Sequence, residues 1–471
     1  MAEPTPDAGG ADIPVETPHE AAPFVPIPAV PEPEAIEHPS KSPYAVVLRL
    51  RNFRRLWIAM TVSSIGDWIG LFALLSITNR LSHGNPLSIA GLMISRVLPA
   101  FLVGPLAGVL LDRIDRRKAM IAADVMRACL IAMVPFVQSV FTLYVITFFL
   151  EVATLVWMPA KDALIPNLVP KRLLLATNSL ALFTTYGVFP LGGLAFTALV
   201  VVSAFLGAHV GALSALHLNR ENLALWIDMA TFIASASIVS RMRAPSVPRE
   251  KRPVRFRVLW EELIEGLRYL RERSEVSRIM RSIAFALAGG AVVFSLGSPY
   301  ATSVLHGGPG VFGGIVAALG TGMGLGVFVL GLIGERFSKA WLAASGVMFA
   351  GVMLLGAAIT TQIIVALVVA ALFGAGAGVA YASLFALLQE IVDDDVRGRI
   401  FSAVQVVIRV SLFVSLVIFP AAAAFFSKVA FHDHVGEGVR MAIAAGALMT
   451  CAAGALAALD VYRGRIHGST S

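Results

Sequence analysis

Seven ionisable residues sit where the surrounding sequence is otherwise apolar: Asp67, Arg96, Asp124, Arg127, Glu151, Asp228 and Arg409. A charge at membrane depth costs about 2.5–3.5 kcal/mol on insertion scales, so each such residue needs a partner or a task. Asp67, Arg96 and Glu151 fall near the middle of their apolar stretches. A carboxylate held at that depth can take up and release a proton near neutral pH, which is the chemistry of ion coupling. Arg96 is the counter-charge that could reset such a group. A static salt bridge between helices is the competing reading of the same three residues. Asp124 and Arg127 stand three apart and share a helix face, so they are read as a structural pair. Asp228 and Arg409 are grouped with them as structural charges.

Other chemistry finds little support. The glycine-rich stretches at 320–326 (GTGMGLG) and 374–378 (GAGAG) imitate nucleotide loops but lie inside apolar runs, with no Lys-Ser/Thr following. Close helix packing explains them better. No Gly-x-x-x-x-Gly-Lys-Ser/Thr, no His–Glu metal spacing and no nucleophile arrangement occurs. The two cysteines, Cys129 and Cys451, both lie in apolar surroundings and read as small hydrophobes. The expectation is a protein that is not an enzyme and uses no cofactor and no metal.

The elements that must position these charges are legible in composition. The chain of 471 residues is 57% hydrophobic and 14% charged, with a mean hydropathy of +0.79. A soluble domain carries about a quarter charged residues. Twelve apolar segments follow Tyr44, at about 56–80, 86–111, 119–138, 141–163, 174–203, 221–241, 281–305, 311–334, 340–359, 361–388, 399–426 and 440–461. Each is long enough for a helix across about 30 Å of hydrocarbon, and in lipid only internally paired backbone is tolerated. The expected fold is an all-α membrane protein with twelve transmembrane helices.

Alternate connections carry the basic residues: 49–55, 113–118, 161–172, 241–281, 335–339 and 463–465. The opposite connections hold only Arg80, Arg220, Lys428 and Arg440. This asymmetry puts both termini in the cytoplasm of a multi-pass protein of the cell membrane. It also accounts for the net charge of +7 without any nucleic-acid partner. Residues 1–43 hold 11 of the 25 prolines and eight acids against one lysine, the composition of a disordered tail. The long connection at 242–280 splits the segments six and six. Within it Leu259, Leu263, Leu267 and Leu270 recur at helical spacing, which predicts an amphipathic helix on the membrane surface. The expected organisation is a tail (1–43), a first six-helix bundle (44–241), a linker (242–280), a second bundle (281–463) and a short C-terminal tail (464–471). ALIPNLVPKRLLLATNSL and LLQEIVDDDVRGRIFSAVQ stand at equivalent places in the two halves, a faint repeat that suggests pseudo-symmetry.

Between the second and third segments the chain reads GVLLDRIDRRK. This resembles the loop signature Gly-x-x-x-Asp-Arg-x-Gly-Arg-Arg of the major facilitator superfamily. Gly108, Asp112, Arg113, Arg116 and Arg117 match, and Asp115 stands where many members have glycine. With LRNFRRLWIAMTVSSIGDW at 50–68, ALIPNLVPKRLLLATNSL at 163–180, EELIEGLRYLRE at 261–272 and VRGRIFS at 396–402, the chain is similar to the enterobactin-exporter and macrolide-efflux branch.

The resemblance implies two pseudo-symmetric six-helix bundles and alternating access between them. It implies that Gly108, Asp112, Arg113, Arg116 and Arg117 form a cytoplasmic gate against the eleventh helix; a role in setting topology alone is the alternative. It implies too that the first, second and fourth helices border a central cavity. Trp68, Phe72, Phe183, Tyr186, Phe294 and Tyr300 are candidate cavity residues. The expected function is secondary active export of small amphipathic molecules, drug-like or siderophore-like, in exchange for protons. A lipid or lysolipid flippase of the same fold and a non-transporting membrane sensor or scaffold are the alternatives. The partners expected are a small-molecule substrate, protons and membrane lipid, with the chain a monomer.

Overall fold

The computed structural model describes residues 43–103, 114–170, 187–209, 221–242, 274–333, 337–391, 397–430 and 434–464, with scattered positions between 173 and 184. Gly108, Asp112, Arg113, Phe183, Tyr186, the tail before Pro43, the linker up to residue 273 and the last seven residues lie outside the described residues.

After a short α1 (Pro43–Val47), the first half consists of α2 (Arg51–Leu81), α3 (Pro86–Leu102), α4 (Arg116–Met133), α5 (Val140–Leu164), α6 (Phe189–His209) and α7 (Asn222–Ser240). The second half consists of α8 (Ser274–Gly290) continued by α9 (Val292–Pro299), then α10 (Pro309–Ile333), α11 (Lys339–Ile359), α12 (Ile363–Ile391), α13 (Arg397–Val429) and α14 (Val435–Tyr462). Among the described residues ten helical segments are long and apolar enough to cross a membrane, with two shorter apolar helices, 86–100 and 189–205, in the second and fifth places. The protein is an all-α, multi-pass membrane protein.

Local chemistry sets several helix ends. Asn85 accepts from the backbone N–H of Leu87 at 3.0 Å, and Pro86 follows at the first helical position. Asp115 accepts from the backbone N–H of Lys118 at 3.0 Å and so caps α4. That contact gives Asp115 a local task at the start of the helix. α2 starts five residues before the expected span because Phe53 and Leu56 are buried while the arginines around them face outward. α8 likewise begins at Ser274 rather than 281. Val276, Ile279 and Met280 pack into the core of the second half, so the linker ends earlier than the charge pattern suggests. α5 continues through Lys161 to Leu164, with the buried ammonium paired to Asp162 at 2.9 Å.

The helix pairings of one half recur in the other. α2 packs on α7 as α8 packs on α14, α3 on α5 as α10 on α12, and α4 on α5 and α7 as α11 on α12 and α14. Across the halves, α6 packs on α10 and α13 on α3, two contacts that exchange under a twofold rotation.

The apolar core has three parts. One cluster, with Phe72, Phe189 and Phe196 from the first half and Leu296, Phe312 and Phe419 from the second, joins the halves. At the end that carries the basic connections the cores separate. Phe53, Leu56, Met120, Trp157 and Val239 belong to the first half alone, and Val276, Ile279, Leu387 and Val404 to the second alone. Among the described residues, the halves therefore share a core at the base-poor end and none at the base-rich end.

Candidate functional site

Six of the seven charges singled out above lie in the first half, and five of them pair there. Arg96 of α3 and Glu151 of α5 lie 3.7 Å apart, with side chains 34% and 22% exposed. Asp67 of α2 does not pair with Arg96. It lies 3.5 Å from Arg127 of α4, the residue expected to be purely structural. The reason is position: Arg127 is on the face of α4 that turns toward α2 and α7, and it is nearly fully buried while Asp67 is 36% exposed. Arg127 also pairs with Asp124, as its i,i+3 spacing suggests.

Asp124 is completely buried and heavily bonded. Besides Arg127 it accepts from Ser235 Oγ of α7 at 2.7 Å and from Trp157 Nε1 of α5 at 3.3 Å. The guanidinium of Arg127 stands over the Phe232 ring at 4.3 Å and the Trp157 ring at 5.4 Å. A buried charge is tolerable when paired and hydrogen-bonded, and this one is held from three helices. Neither Ser235 nor Trp157 carries a signal in the sequence, since serine and tryptophan are common in membrane helices.

Asp228 is buried against α2 in a notch left by two glycines. A Cβ on Gly66 would stand 2.7 Å from Asp228 Oδ1, and one on Gly70 would meet the carboxylate directly. Arg409 of α13, in the second half, is exposed.

The aromatic candidates divide. Trp68, half-buried, stacks on Phe72 with centroids 6.1 Å apart and meets Phe189 edge-on at 4.7 Å. Phe294 joins them through Phe189 at 6.1 Å and stays exposed. Phe72 does not face a cavity. It is buried in the joint core, where it also meets Phe312 edge-on at 5.9 Å, because α2 crosses the seam there. Tyr300 lines a small apolar cavity within the second half; it is 4% exposed, and its hydroxyl donates to the Ala357 carbonyl at 2.7 Å. It starts a π-helical turn, Tyr300–Val304, that rotates the side chain into the second half.

At the base-rich end, Arg116 donates to the Ala163 carbonyl at 2.6 Å and Arg117 to the carbonyls of Val239 (3.2 Å) and Ser240. Arg55 donates to the Arg241 carbonyl at 2.7 Å. These arginines close the C-terminal ends of α5 and α7, where unpaired carbonyls concentrate negative charge. Their described contacts stay within the first half. The three remaining residues of the expected gate, Gly108, Asp112 and Arg113, are outside the described segments.

Residues 41–460 match the family described as transmembrane secretion effector. Macrolide efflux protein A of Streptococcus pyogenes is 24% identical over 382 residues, 78% of this chain and 88% of that protein. The MFS-type transporter YfiS of Bacillus subtilis is 24% identical over 375 residues, 75% of this chain and 82% of its own length. Among solved structures, a bacterial homologue of the human lysosomal transporter Spinster, in an inward-facing and unoccupied conformation, superimposes with a TM-score of 0.69. It is 15% identical, with 92% of this chain and all of that one covered. The nucleoside transporter NupG gives 0.60 at 12% identity over 85% of this chain and 98% of that one. A chain matched over nearly its whole membrane-embedded length, with the paired halves of this fold, belongs to the transmembrane secretion effector family of the major facilitator superfamily of transporters.

Proposed function

We propose that this chain exports small amphipathic molecules, drug-like or siderophore-like, across the cell membrane in exchange for protons. The observation that carries the reading is the partly exposed Arg96–Glu151 pair, 3.7 Å apart. Rocking of the halves alters the surroundings of this pair and therefore the hold of Glu151 on a proton. A carboxylate whose proton affinity differs between two global states couples proton movement to the conformational cycle. Asp67, tied to Arg127 on the same network, is the second proton candidate, and Arg96 is the cation that reclaims Glu151 when the proton leaves.

Direction and sidedness rest on other features. The likeness to macrolide efflux protein A favours export. The basic connections favour a cytoplasmic base-rich end, with both termini inside. The separated cores at that end then correspond to a state open to the cytoplasm and closed outside, like the inward-facing structure it resembles. Arg116 and Arg117, with Gly108, Asp112 and Arg113, form the cytoplasmic gate in this reading. The space between the halves, edged by Trp68 and Phe294, is the substrate route, and the chain works as a monomer.

The test uses energised inverted membrane vesicles and a fluorescent amphipathic dye. Wild-type uptake is expected to collapse with an uncoupler. Glu151→Gln is expected to lose gradient-driven uptake while keeping dye exchange down a concentration gradient. Uptake that survives both the uncoupler and the substitution would overturn proton coupling.

A further inference from the structure

At the base-poor end a cavity of about 770 Å³ lies between the halves, roofed by α2, α6 and α7 on one side and by the α9–α10 connection on the other. That volume suits a drug-sized molecule, for which pockets of about 300–1,000 Å³ are usual. Its polar lining is built around Glu221, whose side chain is 1% exposed. Ser76 Oγ donates to Glu221 Oε1 at 2.9 Å, while Glu221 Oε2 has no hydrogen-bond partner. Beside it, Asn79 Nδ2 donates across the seam to Thr302 Oγ1 at 3.0 Å, and Asn79 Oδ1 is likewise without a donor.

Two buried acceptors in one cavity wall, each lacking a donor, call for a group rich in N–H. The cation set against the carboxylate is a weak substitute. Arg80 Nε stands 3.6 Å from Glu221 Oε1, beyond a good hydrogen bond, and the Arg80 side chain is 37% exposed and free to swing away. Both orphan oxygens are screened from water in this conformation, so the donor must arrive by displacing what covers them.

We infer that this outer cavity is an exit-side site for an amine-bearing amphiphile, whose ammonium displaces Arg80 from Glu221 and binds Glu221 and Asn79. The site rests on the transport reading for its role but not for its existence. Glu221 fixes the position of the positive charge, Ser76 fixes Glu221, and the Asn79–Thr302 bond marks the seam that opens for release. The competing reading is that Glu221 merely supplies a negative charge at the start of α7.

The experiment is equilibrium binding of dansylcadaverine, an amine-bearing fluorescent amphiphile, to the full-length protein in lipid nanodiscs, beside its neutral N-acetyl derivative. Wild type is expected to prefer the amine. Glu221→Gln is expected to weaken the amine about tenfold, the worth of one charge-assisted contact, and to leave the acetyl derivative unchanged. Arg80→Gln, on an exposed side chain, is expected to do the opposite and tighten the amine. Equal binding of the two probes by wild type overturns the site, as does an unchanged preference in Glu221→Gln. If Glu221→Gln fails to fold, Arg80→Gln decides, and no tightening there overturns it. Vesicle uptake of the same probe separates the two readings: binding with the expected preference but without uptake sinks transport of this amine and leaves the site standing.

Discussion

Asp124 illustrates what a single buried charge demands. Its carboxylate is met by a guanidinium, an indole N–H and a hydroxyl from α4, α5 and α7, so three helices are pinned to one side chain. Removing only the cation leaves a buried carboxylate without its charge partner. Arg127→Leu is therefore expected to cost about 3–5 kcal/mol, read as a large fall in the thermal unfolding midpoint in detergent. Removing both charges, in Asp124→Leu/Arg127→Leu, is expected to cost much less than the sum of the single changes. An additive double-mutant cycle would show that the pair is not coupled. The sequence discloses the type and depth of these residues and the Asp124–Arg127 spacing, because those are local properties. It does not disclose that Arg127 also reaches Asp67, 60 residues away, or that Ser235 reaches Asp124 from 111 residues away. Only the packing of the helices sets those meetings. Glu221 escaped notice for the same reason: at the end of an apolar run it looks like any surface acid, and its burial is a tertiary fact.

Helices are more legible than their partners. Most apolar runs place the membrane segments to within about five residues; the fifth, expected at 174–203, has its described helix at Phe189–His209, and two helices start as amphipathic extensions, at Arg51 and at Ser274. There the polar face hides the helix from a hydropathy count. The glycine-rich stretches read from sequence as close packing find their surface in the contact of α10 with α12. A Cβ on Gly374 would run into the Leu319 carbonyl, one on Gly378 into that of Met323, and one on Gly326 into that of Ala375. Neighbouring backbone cannot swing aside as a side chain can. Gly374→Ala is expected to destabilise the second half by about 1–3 kcal/mol through overpacking, visible as a lower unfolding midpoint. Gly308→Ala, where an added Cβ meets nothing within 4 Å, is the matched control and is expected to be neutral. Asp115 offers a milder test at a helix end. Asp115→Ala removes the cap on Lys118 N–H and is expected to cost about 1 kcal/mol, with most activity retained.

For the whole molecule the decisive feature is that, among the described residues, the halves are joined at one end only. The joint core, the Asn79–Thr302 bond and the glycine contacts of α6 with α10 all lie at or toward the base-poor end. A Cβ on Gly193 would stand 2.8 Å from the Ala317 amide and one on Gly320 2.7 Å from the Pro190 ring, so the two helices touch at backbone distance. Such a contact is bistable: it is either closed to this depth or broken, and alternating access requires that it break. Tying it shut should therefore stop transport without unfolding anything. In a background with Cys129→Ser and Cys451→Ser, a pair of cysteines at positions 79 and 302 bridged by a short bifunctional thiol reagent is expected to abolish dye uptake. The dye should still bind from the base-rich side, and cleavage of the bridge should restore uptake. The single cysteines, treated alike, report what loss of the Asn79–Thr302 bond alone costs, and only the bridged pair should respond to cleavage. If the bridged protein still moved dye, the base-poor end would not need to open, and the separated cores at the other end would have to be explained by something other than a transport cycle.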